Sequence, residues 1–305
     1  MEKTLDEETL GPITKQRKAF IAFLLSLVLP GLGQVYNGQP KKAAVFFGLL
    51  IFFPLLFDLT SAAAFFYGLA TLLFIEIVLR IYIIIDGVKN AKRQKEYILK
   101  SYNTWFYYLL IAVVMFAILW ALDARSVLGM RTFELPSPSN NPTFQVGDWV
   151  VADMRAYKNK ELAYGDMVVF NSSEGQIWTF RVIGLPNDKL ELNDNIVTIN
   201  GKPGKVTFIK DTMNDGVSVS EFIEELPNGH QHHIYKFKQP YDSTKTTIKD
   251  IVVPTGNYYL LGDNRDNAAD SRYNGFIKRQ DILGRIIYSY WGKTSDRINI
   301  NFRDK

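Results

Sequence analysis

The sequence contains no cysteine and only three histidines in 305 residues. Without cysteine there can be no disulfide framework, no thiolate nucleophile and no metal site built on thiolates. The missing disulfides also remove one way of identifying the compartment. The net charge of +4 at pH 7 is too small to indicate a nucleic-acid-binding protein.

Apolar residues make up 47% of the chain, and they crowd into roughly its first two-fifths. This uneven distribution favours a membrane part followed by a separate soluble part. Three apolar stretches are predicted to span a membrane: Ala43–Phe57, Ala62–Ile85 and Thr104–Leu122. The last carries no charge and is long enough to cross a hydrocarbon core of about 30 Å.

Basic residues predict the orientation of these spans. Five of them lie between the last two spans: Lys89, Lys92, Arg93, Lys95 and Lys100. By the positive-inside rule, residues 86–103 form a cytoplasmic loop. Residues 104–122 are then a membrane anchor that delivers residues 123–305 to the outside.

The first apolar segment allows two topologies. Residues 1–18 are predicted to be a polar cytoplasmic tail, and residues 19–35 show no A-x-A-like cleavage site. The segment either crosses the membrane or enters it and returns at Pro30-Gly31. We favour the re-entrant form, because it places the flanking basic residues on one side. The stretch LVLPGLGQVYNGQPKKAAVFFG resembles the two-helix membrane module called the TM2 domain.

Short strand-like segments dominate the chain after Asp123, and they predict an all-β, barrel-like domain. The predicted strands are 148–153, 166–170, 177–183, 190–192, 196–199, 205–209, 233–237, 258–261 and 282–290. Asn200-Gly201 and Asn228-Gly229 predict hairpin turns. The three histidines, His230, His232 and His233, follow the second turn. We predict a solvated loop there, because no further ligands complete a metal site.

Two serines stand among prolines in the segment LPSPSNNPTF, residues 135–144. Proline fixes φ and disfavours helix in the residue before it. The hydroxyls of Ser137 and Ser139 are therefore predicted to lie on stiff, extended chain and to point the same way. Taken alone, such a run is most often a turn.

Several segments follow this one in an order and spacing that resemble one family. They are VGDWVVADM, YGDMVVF, TFRVIGLPND, INGKP, YYLLGDNRDNAADSRYNGFI and ILGRI. Together they resemble the bacterial type I signal peptidases, membrane-anchored Ser/Lys endopeptidases that remove signal peptides from exported preproteins. The resemblance covers roughly residues 122–290. Within it, residues 187–254 resemble the family's variable β-ribbon insertion.

The resemblance implies a role for each matching position. It places Ser139 at the nucleophile and Ser137 at the hydroxyl that forms the oxyanion hole with the backbone N–H of Ser139. Its charged framework falls on Arg181, Asp263, Arg265, Asp270 and Arg272. No cofactor or metal is implied. The implied partners are signal peptides, the lipid bilayer and the secretion machinery, and the implied location is the bacterial cytoplasmic membrane.

Two departures from the family pattern concern catalysis. The general-base lysine falls at Phe180, and the small hydroxyl residue that orients this lysine falls at Ala268; Asn140 also replaces a usual methionine. Phenylalanine cannot accept the proton of Ser139, so we predict that hydrolysis is impaired or lost. The alternative is an active signal peptidase that uses Ser139 with a non-standard base. Lys278 is one such base, although it matches no family motif.

Overall fold

The computed structural model describes residues 14–121, 129–239 and 243–303. The chain separates into two compact units, residues 1–128 and 129–305. The predicted tail, residues 1–18, lies mostly outside the described residues, as does Leu122 at the end of the predicted anchor.

The first unit is helical. Its helices are α1 (Ala19–Val28), α2 (Leu32–Tyr36), α3 (Pro40–Leu59), α4 (Phe66–Arg93) and α5 (Trp105–Ala121). Two short strands, β1 (Thr14–Lys15) and β2 (Tyr97–Ile98), pair antiparallel. By length and composition, α3 and α4 are able to cross a membrane, whereas α1 and α5 are shorter apolar helices.

The predicted cytoplasmic segment, residues 86–103, is helical as far as Arg93, because α4 continues to that residue. The basic residues of this stretch are good helix formers. Lys92 and Arg93 also lie in the last turn, where cations interact favourably with the helix dipole. The non-helical part of the basic stretch therefore begins at Gln94.

The first apolar segment folds back on itself. The backbone turns at Gly31, whose φ of 98° is the left-handed conformation that glycine adopts readily. A Cβ on Gly33 would lie 2.5 Å from the carbonyl oxygen of Ala22, so α2 packs closely against α1. The backbone N–H of Lys18 donates to the hydroxyl of Tyr36 at 3.0 Å. The two ends of this hairpin therefore meet.

The second unit is built from strands. They are β3 (Met130–Leu135), β4 (Asp148–Asp153), β5 (Met167–Asn171), β6 (Ile177–Gly184), β7 (Lys189–Asn193), β8 (Ile196–Ile199), β9 (Lys202–Pro203), β10 (Lys205–Asn214), β11 (Val217–Glu225), β12 (Gln231–Phe237), β13 (Ile248–Val252), β14 (Asn257–Leu261), β15 (Ile277–Lys278) and β16 (Ile282–Trp291). One short helix, α6 (Ser271–Asn274), interrupts them. The mostly-β architecture predicted for this part is confirmed.

These strands form three sheets. A seven-stranded sheet has the order β15-β14-β6-β5-β16-β4-β3. The first four residues of its central strand β5, Met-Val-Val-Phe, are buried, as expected for a strand covered on both faces. The strands between residues 189 and 252 form two further sheets, β13-β7-β8-β9 and the ribbon β10-β11-β12. None of those seven strands joins the large sheet.

Five strands of this unit were missing from the sequence prediction: β3, β11, β13 and the two-residue strands β9 and β15. Strand β10 also continues to Asn214, five residues beyond the predicted end. The overlooked signal is Asp215-Gly216, whose φ values of 49° and 82° form the turn between β10 and β11. Asp-Gly is a typical hairpin turn, as is the Asn200-Gly201 pair that was predicted.

Candidate active site

Ser137 and Ser139 lie beside each other, but the backbone between them is not extended throughout. Residues Pro138–Asn140 form a 3₁₀ turn, and only Ser137 keeps an extended conformation. The prediction of an extended Ser139 is therefore wrong. The two hydroxyl oxygens are 2.7 Å apart, and the Ser139 N–H donates to Ser137 Oγ at 3.2 Å. Ser137 thus acts as the cap of the turn that carries Ser139.

The serine turn is held from two sides. Asn264 donates its backbone N–H to Ser139 O at 3.0 Å and its side-chain amide to Pro138 O at 3.2 Å. Asn140 is buried and donates to the carbonyl of Thr179, in β6, at 2.8 Å. Sequence reasoning did not identify Asn264 as a positioning residue, although it lies within the GDNRDN motif.

Ser139 opens onto a cavity of about 530 Å³. Its walls are mostly apolar and come from β3, the serine turn and β6. They include Phe133, Phe144, Ile177 and Trp178. The one ionisable side chain among the lining residues is Glu134, and no lysine or histidine lines the cavity within the described chain. The cavity therefore offers Ser139 no amine or imidazole to act as a general base.

Phe180 stands beside Ser139. A Cβ on Gly262 would lie 2.6 Å from Ser139 O, 2.4 Å from the methyl group of Ala268 and 3.3 Å from the Phe180 ring. These three residues therefore converge on one point. The ring of Phe180 also contacts those of Phe170 and Trp178, with centroids 5.9 and 6.1 Å away. An aromatic cluster fills the space next to the serine.

Lys278 does not line the serine cavity. It lines a neighbouring cavity of about 360 Å³, which shares only Trp178, Phe180 and Ala269 with the first. The aromatic wall of Trp178 and Phe180 thus borders both cavities. The geometry gives no support to Lys278 as the base for Ser139.

A buried ion pair between Arg181 and Asp263 supports the chain that follows the serine turn. Arg181 binds Asp263 with two hydrogen bonds, Nε to Oδ1 at 2.8 Å and Nη2 to Oδ2 at 2.7 Å. The Thr143 hydroxyl donates to the same carboxylate at 2.5 Å. Burial alone would raise the pKa of Asp263, but the Arg181 guanidinium outweighs burial and lowers it. The carboxylate is therefore held in its charged form.

The rest of the predicted framework forms two more buried pairs. Arg272 binds Asp270, with Nε to Oδ1 and Nη2 to Oδ2 both at 2.8 Å. Arg265 instead binds Glu224, a residue of β11 that sequence reasoning missed. Asn195 joins the two pairs, since its carbonyl accepts from Arg265 and its side chain accepts from Arg272, each at 2.8 Å.

Comparison with known proteins identifies the family. The sequence pattern of "Signal peptidase, peptidase S26" matches residues 103–291, which is more than half of the chain. The chain belongs to the S26 signal peptidase family. The match covers α5 and nearly all of the β unit, and it begins after α1–α4.

Two sequence relatives agree with this assignment. Signal peptidase IB of Staphylococcus aureus (strain MRSA252) is 28% identical over 173 residues, which cover 55% of this chain and 82% of that protein. Signal peptidase I of Rickettsia akari (strain Hartford) is 31% identical over 212 residues, covering 60% and 78%. A crystal structure of a signal peptidase I from Enterococcus faecalis V583 matches 41% of this chain and 97% of that one, with 24% identity and a TM-score of 0.25. Family membership implies preproteins with signal peptides as the class of substrate.

The histidines of this S26 protein are not in a solvated loop, and that prediction is wrong. They follow the predicted turn, but His232 lies on β12 with 3% of its surface exposed. Its Nε2 is 3.2 Å from Glu224 Oε2, and His230 Nε2 is 3.0 Å from Arg181 Nη1. Only His233 keeps an exposed side chain. The strand pairing of β11 and β12 places His232 among the framework charges, which short-range sequence patterns do not reveal.

Proposed function

We propose that this protein is a signal-peptidase-like membrane protein that binds signal peptides without hydrolysing them. The observation that carries the proposal is the cavity around Ser139, which lacks any lysine or histidine among its lining residues. The resemblance puts the general base at Phe180, whose ring has neither a lone pair nor an acidic proton. Ser139 and Ser137 keep the nucleophile and oxyanion-hole positions without a group to remove the proton.

The same cavity is suited to holding a peptide. It is concave and mostly apolar, and two hydroxyls and the Ser139 N–H lie at one side of it. Strand β3 forms one edge of the large sheet, so its outer side can pair with an extended chain. Binding of a peptide therefore does not require a general base.

A peptide-binding measurement tests this part of the proposal. A fluorescent signal peptide should bind the full-length protein in lipid nanodiscs, and Ser139→Ala should bind it equally well. Ile177→Trp should weaken binding about tenfold or more, because Ile177 lines the cavity and the larger ring fills it. Ile209→Trp is the matched control, since the two isoleucines are 43% and 42% exposed and Ile209 lines no part of this cavity. Equal affinities for the two tryptophan variants would reject this cavity as the peptide site.

The second candidate function is an active signal peptidase with a different base. Glu134 favours it, because this residue of β3 is the one ionisable group that lines the cavity. A carboxylate is a weaker base than a neutral amine, so slow cleavage is expected from such a pair. Cleavage that disappears in both Ser139→Ala and Glu134→Gln would support this candidate over the first.

We further propose that the helical unit anchors the protein in the cytoplasmic membrane, with the β unit outside. Large apolar side chains such as Phe20, Phe74 and Phe116 are 67–69% exposed on the helices, as lipid-facing residues would be. The closed hairpin of α1 and α2 supports the re-entrant topology, because its two ends meet through Lys18 and Tyr36.

Polar contacts also bring the basic ends of the helices together. Lys42, at the start of α3, forms a 2.6 Å ion pair with Asp86 of α4. Asn37, just after α2, donates to the carbonyl of Gly87 at 2.7 Å. One end of the helical unit therefore collects the basic residues, and the positive-inside rule makes that end cytoplasmic.

A further inference from the structure

The β unit contains a second cavity of about 530 Å³ that shares no lining residue with the serine cavity. Its walls come from four places: the loop after Ser139, through Thr143; strand β6, through Arg181; strands β11 and β12, through Ile223 and His232; and the segment after β16, through Arg297 and Phe302. The proposed peptide binding does not use this cavity.

His232 lines the cavity and carries unused polar atoms. Its side chain is almost fully buried, and neither ring nitrogen has a hydrogen bond of good geometry among the described residues. One ring nitrogen, Nε2, lies 3.2 Å from Glu224 Oε2 and 3.8 Å from Asp263 Oδ1. A buried imidazole nitrogen without a partner is costly unless something binds it.

Arg297 contributes a second unused group. Its Nε and Nη2 bind Asp148, and Nη2 also donates to the Thr143 carbonyl at 2.9 Å. Within the described chain, Nη1 makes no hydrogen bond, although the residue is only 8% exposed. Glu221 is the one acid among the lining residues, and it is engaged by His233 at 2.7 Å and Lys210 at 3.6 Å. Arg297 Nη1 is thus a free donor in this wall, and His232 Nδ1 becomes a second one when the ring is protonated.

The remaining walls are apolar, with Ile223, Ile300 and Phe302 among them. We propose that this cavity binds a carboxylate attached to an apolar body, with the carboxylate held by Arg297 Nη1 and His232 Nδ1. A guanidinium and an imidazole are the groups that form strong, charge-assisted hydrogen bonds to carboxylates. The C-terminal end of a peptide and a short fatty acid both carry this chemistry.

Binding of this kind is linked to proton uptake. Burial and the nearby Arg181 lower the pKa of His232, so the imidazole is neutral in the free protein at neutral pH. The ionisable groups around it are Glu224, Asp263, Arg181 and His230. If Nε2–H faces Glu224, Nδ1 can donate to a carboxylate only after the ring gains a proton. The affinity should therefore rise as the pH falls from 8 to 6.

The occupied cavity would also steady the loop that follows Ser139. Thr143 is held by Arg297 through its carbonyl and by Asp263 through its hydroxyl. A ligand that binds Arg297 adds a contact to this support. The inference does not rest on peptide binding or cleavage at Ser139, and Ser139→Ala should bind the ligand as the wild type does.

Calorimetry on the full-length protein in maltoside micelles tests the proposal. The probes are N-acetyl-L-phenylalanine, for a peptide end, and octanoate, for a fatty acid; N-acetyl-L-phenylalaninamide lacks the charge. At least one acid should bind at millimolar concentration or below, and the amide should bind about tenfold or more weakly than its acid. Titrations in Pipes and Tris buffers, which differ in ionisation enthalpy, should show proton uptake. The acid that binds more tightly shows whether the ligand is a peptide end or a fatty acid.

A cavity-filling variant and a matched control distinguish a loss of ligand binding from a loss of folding. Ile223→Trp should abolish binding, and Ile209→Trp, on the neighbouring strand but outside this cavity, should leave it unchanged. Thermal unfolding of both variants checks that they are folded. The proposal is overturned if neither acid binds, if the amide binds as well as its acid, or if Ile223→Trp binds normally.

Discussion

In the proposed function, Phe180 is the residue that limits the chemistry of Ser139. Its ring packs with Phe170 and Trp178 and meets Ala268 and the Ser139 carbonyl at Gly262. General acid–base help is worth about 10²–10⁴-fold in rate, and more when nucleophile and base act as one unit. We infer that Ser139, whose hydroxyl bonds to that of Ser137 within the described residues, lacks this help.

The same surroundings would suit a lysine. Apolar burial lowers the pKa of an amine, so a lysine at position 180 would be partly neutral near pH 7. We predict that Phe180→Lys combined with Ala268→Ser raises Ser139-dependent cleavage of a preprotein reporter about 10²-fold or more over wild type. Phe180→Lys alone should gain less, because it lacks the orienting hydroxyl.

The control for this prediction is the same pair of substitutions in a Ser139→Ala background, which should not cut. Failure of the double variant to gain activity, while it still binds the fluorescent peptide, would show that the site has changed beyond positions 180 and 268.

At the level of single residues, the sequence predicted that the hydroxyls of Ser137 and Ser139 lie close together. It did not predict the backbone conformation between them. Ser137 and Ser139 do meet, but through a 3₁₀ turn rather than extended chain. Pro138 occupies the first position of that turn, where its fixed φ is favourable. A proline between two serines is therefore compatible with either conformation, and only the bonds from Asn264 and Asn140 select the turn.

Among the elements, the ribbon β10–β12 is more than a surface insertion. Tyr235 of β12 bonds with the backbone of Asp263 and Arg265 at 2.9 Å each, and Glu224 of β11 pairs with Arg265. Asn214, at the end of β10, accepts from Asn141 at 2.8 Å. The ribbon therefore helps to hold the framework that supports the serine turn.

The sequence could not predict this role. Strand β11 reads VSVSEFIEE, and the overlooked Asp215-Gly216 turn left it without a pairing partner. Glu224 meets Arg265 across 41 residues of chain, a contact set by strand register rather than by local pattern. By contrast, β4 and β8 were predicted with their observed bounds, because each combines β-branched residues with an adjacent turn.

The ion pair between ribbon and framework gives a stability prediction. Arg265→Met should destabilise the β unit by about 3–5 kcal/mol, because it leaves the fully buried Glu224 carboxylate without its partner. Lys205→Met is the control on the same ribbon. Lys205 is 76% exposed and 3.7 Å from Glu225, so its loss should cost about 1 kcal/mol or less.

Chemical denaturation followed by tryptophan fluorescence measures both variants. Adding Glu224→Leu to Arg265→Met should recover much of the loss, since two apolar groups then replace the buried charges. Equal stabilities of the Arg265→Met and Lys205→Met variants would mean that the pair does not hold the ribbon.

For the whole molecule, composition predicted a helical, apolar part followed by a β-rich part, and the two compact units follow that division. The hairpin of α1 and α2 is closed by a polar contact between Lys18 and Tyr36 that hydropathy does not show. Because the chain has no cysteine, its topology can be measured with single introduced cysteines.

We predict that the introduced cysteines of Gln16→Cys, Lys41→Cys and Lys95→Cys all react with a reagent that is applied to the cytoplasmic side of the membrane. Each of these residues is exposed. Thr60→Cys, in the exposed link between α3 and α4, should be labelled by an impermeant maleimide added from outside. Labelling of Gln16→Cys and Lys41→Cys from opposite sides would mean that residues 19–35 cross the membrane, and would reject the hairpin.

The most direct test of whether Ser139 is inactive compares cleavage of a preprotein reporter by the wild-type protein and by Ser139→Ala, both in lipid. An excess of protein over reporter and hours of incubation make a single slow turnover visible by mass spectrometry. We predict that the wild type and Ser139→Ala leave the same amount of intact preprotein, while both bind the signal peptide. Cleavage by the wild type that Ser139→Ala abolishes would contradict it, and would show that Ser139 has a base despite Phe180.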